Sequence, residues 1–75
     1  MLNVLEFKIA MLRKGMTQRD VAKHLGLTPK TVSERLKNRR FGSDEIEKLI
    51  PLLDIKDPMS VFFADEVTSD ATKEV

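Results

Sequence analysis

The feature that most constrains the fold is the short interval between two helix signals near the middle of the chain. Thr17 is a favoured helix N-cap, Asp20 is its partner in a capping box, and Gly26 ends that helix after barely two turns. Thr28-Pro29 then begins another helix, because proline at the first helical position lacks an N–H that would have no partner there. Helices joined by so short a turn must cross steeply, at about 90–120°.

Small and branched residues make such a crossing possible. Ala22 is small where the two helices approach, Gly26 gives the turn its backbone freedom, and Val32 fills the angle between them. The spacing predicts helices over residues 18–25 and 29–37. The core-facing residues of this pair are predicted to be Val21, Ala22, Leu25, Val32 and Leu36.

The segment before this pair is predicted to form an amphipathic helix from Leu2 to Lys14. Asn3 is its predicted cap, and Gly15 is predicted to stop it. The apolar spacing i, i+4, i+7 predicts a core-facing stripe of Leu5, Ile9 and Leu12.

Two more helices are predicted after a basic loop and Phe41, which we expect to fold back onto the core. Ser43 is the predicted cap of the fourth helix, and Pro51 predicts a kink or break near Ile50. The apolar stripe of this helix is predicted to be Ile46, Leu49, Ile50 and Leu53.

The signal Asp57-Pro58 opens a fifth helix that runs through Phe63 or Ala64. We expect Phe62 to pack inward and either Phe63 or Val61 to join a dimer or partner surface. The predicted fold class is all-α, a compact bundle of five helices.

Length and composition limit the chain to one domain, predicted over residues 1–64, followed by a flexible polar tail over residues 65–75. Cysteine is absent and His24 is the only histidine, so no metal or cofactor is expected. No Ser/His/Asp set or glycine-rich phosphate loop is present, and we expect no enzymatic activity. The apolar runs are too short for a signal peptide or a membrane span, so we expect a soluble cytoplasmic protein with no membrane partner.

The charges are divided unevenly along the chain. Residues 1–40 hold ten basic and three acidic residues, a net charge of +7, whereas residues 41–75 hold three basic and nine acidic residues, a net charge of −6. This division indicates one surface for a polyanion and another that avoids it. Two solvated surfaces of uneven composition are the alternative.

The second helix of the central pair is polar along its outer face. Its hydrogen-bonding and basic side chains there are Lys30, Thr31, Ser33, Glu34 and Lys37. Such a face is what reading of the DNA major groove requires. The alternative is a solvated helix face, on which Glu34 pairs with Lys30 or Lys37.

The run Thr17-Gln18-Arg19-Asp20-Val21-Ala22-Lys23-His24-Leu25-Gly26-Leu27-Thr28 resembles the T-Q-x-x-[LV]-A-x-x-[LV]-G-[LV]-[ST] signature of the phage Cro and repressor superfamily. The resemblance extends from about Leu5 to Phe63. It implies a five-helix, lambda-repressor-like domain whose helices 2 and 3 form a helix-turn-helix. It also implies a transcriptional repressor in a bacterial host, associated with the nucleoid and binding double-stranded operator DNA as a homodimer.

The resemblance further implies individual roles. Gln18 would bind a phosphate or brace a side chain of the recognition helix, and Thr28 would contact the DNA backbone. The positions that face base edges would be Pro29, Lys30, Ser33 and Glu34. The residues that neutralise phosphates would be Lys37, Arg39 and Arg40.

Two residues depart from the pattern of this superfamily. Pro29 stands where many relatives carry a hydrogen-bonding side chain, which leaves only apolar contact there. Arg35 stands where an aliphatic residue is commoner, which implies a slightly longer third helix.

The alternative function is that of an antirepressor, whose acidic surface around Asp44 to Glu47 binds a phage repressor protein, with or without DNA.

Overall fold

The computed structural model describes residues 1–64, and within them the chain forms five helices and no strand. The helices are α1 Val4–Arg13, α2 Gln18–Leu25, α3 Pro29–Asn38, α4 Ser43–Leu52 and α5 Pro58–Phe62. The predicted all-α fold class is confirmed. The flexible tail predicted over residues 65–75 lies outside the described residues.

Local capping bonds fix the starts of four helices. The side chains of Asn3, Thr17, Thr28 and Asp57 each accept a hydrogen bond from the backbone N–H three residues later, over 3.2 to 3.4 Å. Asp20 completes a capping box by accepting from the N–H of Thr17 at 2.9 Å. These bonds satisfy donors that a helix start otherwise leaves unpaired, which is why the sequence located these starts.

The fourth helix corrects two predictions. Its cap is Gly42 and not Ser43, which lies one residue inside the helix. The Glu45 carboxylate accepts a hydrogen bond from the Gly42 N–H at 2.9 Å, so a side chain from within the helix satisfies this donor. The helix also continues through Pro51 to Leu52, so the predicted break near Ile50 is wrong, whereas the kink stays a prediction. Pro51 removes only the one hydrogen bond that its own N–H would make to the preceding turn.

The stripe predicted for α1 is wrong. Leu5 and Leu12 are 67% and 79% exposed, and Ile9 is half-buried. The face that α1 turns to the core consists of Phe7, Ala10 and Met11. The helix carries two apolar stripes on opposite sides, and the larger Phe7 ring occupies the core.

Three aromatic rings from distant parts of the chain meet in the core. The ring centroids of Phe7 and Phe41 lie 5.2 Å apart, and the Phe62 ring lies 6.4 Å from Phe7 and 6.5 Å from Phe41. Leu49 of α4 is fully buried in the same cluster. The rings therefore join α1, the α3–α4 connection and α5 into one core.

The start of the chain is tied to two other segments by backbone hydrogen bonds. The N–H of Leu2 donates to the carbonyl of Arg39 at 3.0 Å, and the N–H of Asn3 donates to that of Val61 at 2.7 Å. The N–H of Ala64 donates to the carbonyl of Met1 at 3.0 Å. In α5 Val61 and Phe62 are buried and Phe63 is 37% exposed, so of the two surface candidates only Phe63 is accessible.

Candidate nucleic-acid interface

The turn between α2 and α3 is built as the sequence predicted. Gly26 adopts the left-handed conformation at φ 70° and ψ 28°, and the N–H of Leu27 donates to the carbonyl of Ala22 at 2.8 Å. This bond closes the end of α2 just before Thr28 caps α3. Val21, Ala22 and Val32 are at most 1% exposed, so the two helices pack closely across the turn.

One side of α3 faces the core and the other is open to solvent. Val32 and Leu36 are buried, and the opposite side presents four exposed residues. At 100° per residue these four fall within a sector of about 100°, and they are Lys30, Ser33, Glu34 and Lys37. We call this set the α3 face.

The side chains of the α3 face form no hydrogen bond or ion pair with any other described residue. In particular, Glu34 pairs with neither Lys30 nor Lys37, so the pairing considered for the solvated alternative is not found. The α3 face therefore keeps its donors and acceptors available for an external partner.

Thr28 and Thr31 lie beside the α3 face and interact with each other. Their hydroxyl oxygens are 2.9 Å apart, and Thr28 also accepts from the Thr31 N–H at 3.2 Å. Thr28 is exposed whereas Thr31 is half-buried. When the Thr31 hydroxyl donates within this pair, the Thr28 hydroxyl proton stays available to an outside acceptor.

Two further predicted site residues stand at helix starts. Gln18 is the first residue of α2 and is half-buried, and Pro29 is the first residue of α3 and is exposed. The N-terminal ends of helices carry partial positive charge, which favours a nearby anion.

The basic residues that follow α3 are held on a fixed backbone. Arg39 ends the helix in the left-handed conformation at φ 57°, which is unusual for a residue other than glycine. The N–H of Arg40 donates to the Arg35 carbonyl at 3.0 Å, and Phe41 buries its ring in the core. Both arginine side chains are exposed, so the loop presents two positive charges next to the end of α3.

Arg35 is the basic residue of α3 that turns away from the α3 face. Its guanidinium donates from Nε and Nη2 to the two carboxylate oxygens of Glu45, at 3.1 and 3.2 Å. The hydrogen bond from Arg35, together with the one from the Gly42 N–H, holds the pKa of Glu45 below its usual value, against the opposing effect of burial. The same hydrogen bond raises the pKa of Arg35.

Sequence reasoning missed this Arg35–Glu45 ion pair. The departure at Arg35 was noticed, and α3 does extend one residue beyond the predicted end. The acids around Asp44 to Glu47 were considered as a surface that binds a repressor protein, not as partners of Arg35. The sequence did contain a signal for this pair. An arginine lies on the side of α3 away from the α3 face, and an acid follows ten residues later in the first turn of the next helix.

Metal binding and membrane insertion are the other two properties on which the described part of the chain bears. Among residues 1–64 no group of three or more potential ligand residues is placed to hold a metal ion. No helix there is long and apolar enough to cross a membrane.

The closely packed helices α2 and α3, the unpaired α3 face and the adjacent basic loop together define a DNA-binding helix-turn-helix domain. A family model described as helix-turn-helix matches residues 7–56, two thirds of the chain. The chain therefore belongs to this family, the XRE-type helix-turn-helix regulators, whose domain is a DNA-binding regulatory one and not an enzyme. No curated protein and no solved structure gave a significant match.

Proposed function

We propose that the chain is a phage or prophage regulator of the Cro or repressor kind, which binds operator DNA with α3 in the major groove. The observation that carries this proposal is the α3 face: four exposed side chains without an internal partner, next to an exposed pair of arginines. Regulation would be steric, through occupation of a promoter half-site.

The proposed base contacts follow from the chemistry of the α3 face. Lys30 donates to the O6 and N7 acceptors of guanine, and Glu34 accepts from the N4 amino group of cytosine. Ser33 donates to or accepts from either kind of base edge. Pro29, which lacks a polar group, makes apolar contact with a thymine methyl.

The proposed phosphate contacts surround the α3 face. Lys37, Arg39 and Arg40 neutralise phosphates and supply most of the affinity. The Thr28 hydroxyl donates to a phosphate oxygen while Thr31 braces it from the side. Gln18, at the first position of α2, binds another phosphate or braces a side chain of α3.

We further propose that two copies bind the operator together, with recognition helices about 34 Å apart. An apolar surface suitable for pairing lies close to the basic loop. Phe63 and Met1 line a groove together with Arg39 and Arg40, and Met59 of α5 is 46% exposed. Pairing through Phe63 would thus bring the two basic loops near each other.

The rival proposal is an antirepressor that binds a repressor protein through the acidic start of α4. Asp44 and Glu47 are exposed there. Glu45, however, is already bound to Arg35, which reduces the acidic surface available to a partner. The unpaired α3 face favours direct binding of DNA.

The test is binding of the full chain to a pool of random duplexes at two salt concentrations. We expect an enriched site whose affinity falls steeply with salt, and loss of that site in Lys30→Ala/Lys37→Ala. The matched control is Lys48→Ala/Lys56→Ala, which removes two exposed lysines of the acidic half and should leave the site unchanged. Weak binding without sequence preference at low salt would overturn the repressor proposal in favour of a protein partner.

A further inference from the structure

The outer side of α1 carries an apolar stripe that the core does not use. Leu5 and Leu12 are the two most exposed large apolar residues of the described chain, and Ile9 lies between them, half-buried. Seven residues of helix make almost two turns, so Leu5 and Leu12 lie on the same side, about 10 Å apart along the axis. A contiguous apolar stripe of this kind marks a contact surface more often than isolated apolar residues do.

The stripe is not explained by folding. The opposite side of α1 already packs Phe7, Ala10 and Met11 into the core, so removal of Leu5 and Leu12 would leave that packing intact. Leaving two leucines in water gives no stability to the single chain.

The charges beside the stripe indicate what covers it. Glu6 lies near the start of α1 and Arg13 near its end, again seven residues apart and on the same side of the helix. Both are exposed, and neither forms an ion pair with another described residue. Both line an open groove of about 690 Å³ between α1 and the residues that connect α4 to α5, so their charged groups are accessible.

We propose that the α1 stripe is a self-association face, on which a second copy of this chain packs its own α1 in the antiparallel direction. A two-fold axis near the middle of the helix places Leu5 of each copy opposite Leu12 of the other. The same axis brings Glu6 of each copy within reach of Arg13 of the other, which gives two reciprocal ion pairs. A parallel arrangement would instead place Glu6 beside Glu6 and Arg13 beside Arg13.

The association through this face is weak. Two ten-residue helices bury much less than the roughly 1,200 Å² of a stable interface. Lys8, on the other flank of the stripe, lies near the two-fold axis, where it meets the same charge on the second copy. The face is distinct from the Phe63 surface proposed for pairing on the operator, and it requires no DNA.

The test is sedimentation equilibrium of the full chain without DNA, at concentrations up to about 1 mM, a range suited to a dimer that buries little surface. We expect a monomer–dimer equilibrium, and at least a tenfold weaker one in Leu5→Ser/Leu12→Ser, because four leucines leave the interface. Circular dichroism should show an unchanged helix content, since both leucines are exposed.

Charge variants test the antiparallel arrangement separately. Glu6→Arg should weaken the dimer about three- to tenfold, and Glu6→Arg/Arg13→Glu should restore it, because the exchange re-forms both ion pairs. A wild-type chain that stays monomeric, or a dimer abolished by Phe63→Ser and untouched by the leucine variant, would overturn the proposal. Absence of operator binding would affect only the proposed function, since no DNA enters this measurement.

Discussion

Glu34 is the acidic side chain of the α3 face, and it has no ion-pair partner in the described chain. An acid that points toward DNA is repelled by phosphates unless it meets a donor such as the cytosine N4 amino group. We expect Glu34→Gln to shift the preference at one base pair of the selected site from cytosine to adenine, to which glutamine binds through N6 and N7. Binding to non-specific DNA should become tighter at the same time, because a negative charge is lost.

Sequencing of the duplexes selected by the two proteins measures both effects. The control is Glu47→Gln, which removes an exposed acid from α4 without touching α3. An identical preference for wild type and Glu34→Gln would show that Glu34 does not read a base.

Arg39 combines a strained backbone with an exposed cation. Arg39→Gly should raise the free energy of unfolding by about 0.5–1 kcal/mol, because relief of the left-handed conformation exceeds the added chain entropy of glycine. The same variant should bind DNA more weakly. The slope of log K against log salt should become smaller in magnitude by about one, the value for one lost phosphate contact. Urea unfolding and DNA titrations measure the two effects.

Arg40→Ala is the matched control for Arg39→Gly. It removes the neighbouring charge at a residue whose φ is not positive, so we expect a similar loss of affinity for DNA without a gain in stability. Equal stability changes in the two variants would contradict the assignment of strain to Arg39.

At the scale of the helix, α1 offers a direct test of which side faces the core. We expect Phe7→Ala to lower the free energy of unfolding by about 3–5 kcal/mol, because the ring is fully buried between two other aromatic rings. Leu5→Ala, at a residue 67% exposed, should change it by less than about 0.5 kcal/mol. Urea unfolding at low protein concentration measures both, and a large effect of Leu5→Ala would place the core on the other side of α1.

The sequence could not decide between the two sides of α1, for a physical reason. Leu5, Ile9 and Leu12 follow helical spacing as well as Phe7, Ala10 and Met11 do, and periodicity identifies a stripe without saying what covers it. The buried stripe is selected by contacts with Phe41 and Phe62, which lie more than thirty residues away. Long-range packing of this kind is not encoded in any local pattern.

The Arg35–Glu45 ion pair links the end of α3 to the start of α4, and it predicts a pH dependence. Because the folded-state pKa of Glu45 is lowered, the stabilisation is complete above the usual carboxyl pKa of 4.5 and is lost as the pH falls through the lowered value. Glu45→Gln should therefore lower the Tm at pH 7 by about 4–8 °C, and the difference from wild type should shrink toward pH 3.

Thermal melts between pH 3 and pH 7 measure this difference. Glu47→Gln serves as the control, since this exposed acid of the same helix has no ion-pair partner among the described residues. A constant difference across the pH range would contradict the role given to the ionised carboxylate.

The starts of the helices show what a local sequence pattern can predict and what depends on tertiary contacts. Thr17, Thr28, Asn3 and Asp57 were predicted as caps because each bonds within its own helix turn. The start of α4 was misplaced by one residue because Glu45 satisfies the Gly42 N–H from inside the helix while binding Arg35 of α3.

The candidate site was likewise predictable where it depends on a local pattern and not where it depends on tertiary contacts. The α3 face was predicted from the sequence, because each member follows from the helical period once Val32 and Leu36 are placed in the core. Whether these side chains are free of internal partners depends on what surrounds α3, so only the structure shows it. Thr31, predicted on the outer face, proved to be half-buried beside Thr28.

At the scale of the whole molecule, the salt dependence of binding reports how many copies engage the operator. The three phosphate contacts proposed for each copy, from Lys37, Arg39 and Arg40, predict a slope of log K against log salt of about −3 for one copy and about −5 for two. We expect the steeper slope on the selected operator and the shallower one on a single half-site. Titrations on both duplexes at several salt concentrations measure this, and equal slopes would contradict paired binding.

The α3 face also bears on how such a regulator changes over generations. Its four side chains hold nothing together inside the described chain, whereas the core rings and Arg35 each depend on partners elsewhere in the sequence. Substitutions at Lys30, Ser33, Glu34 and Lys37 can therefore accumulate with little loss of folding. Under the proposed function, target choice and scaffold are inherited as nearly separate traits, and a new operator preference requires only a few substitutions, all on one side of one helix.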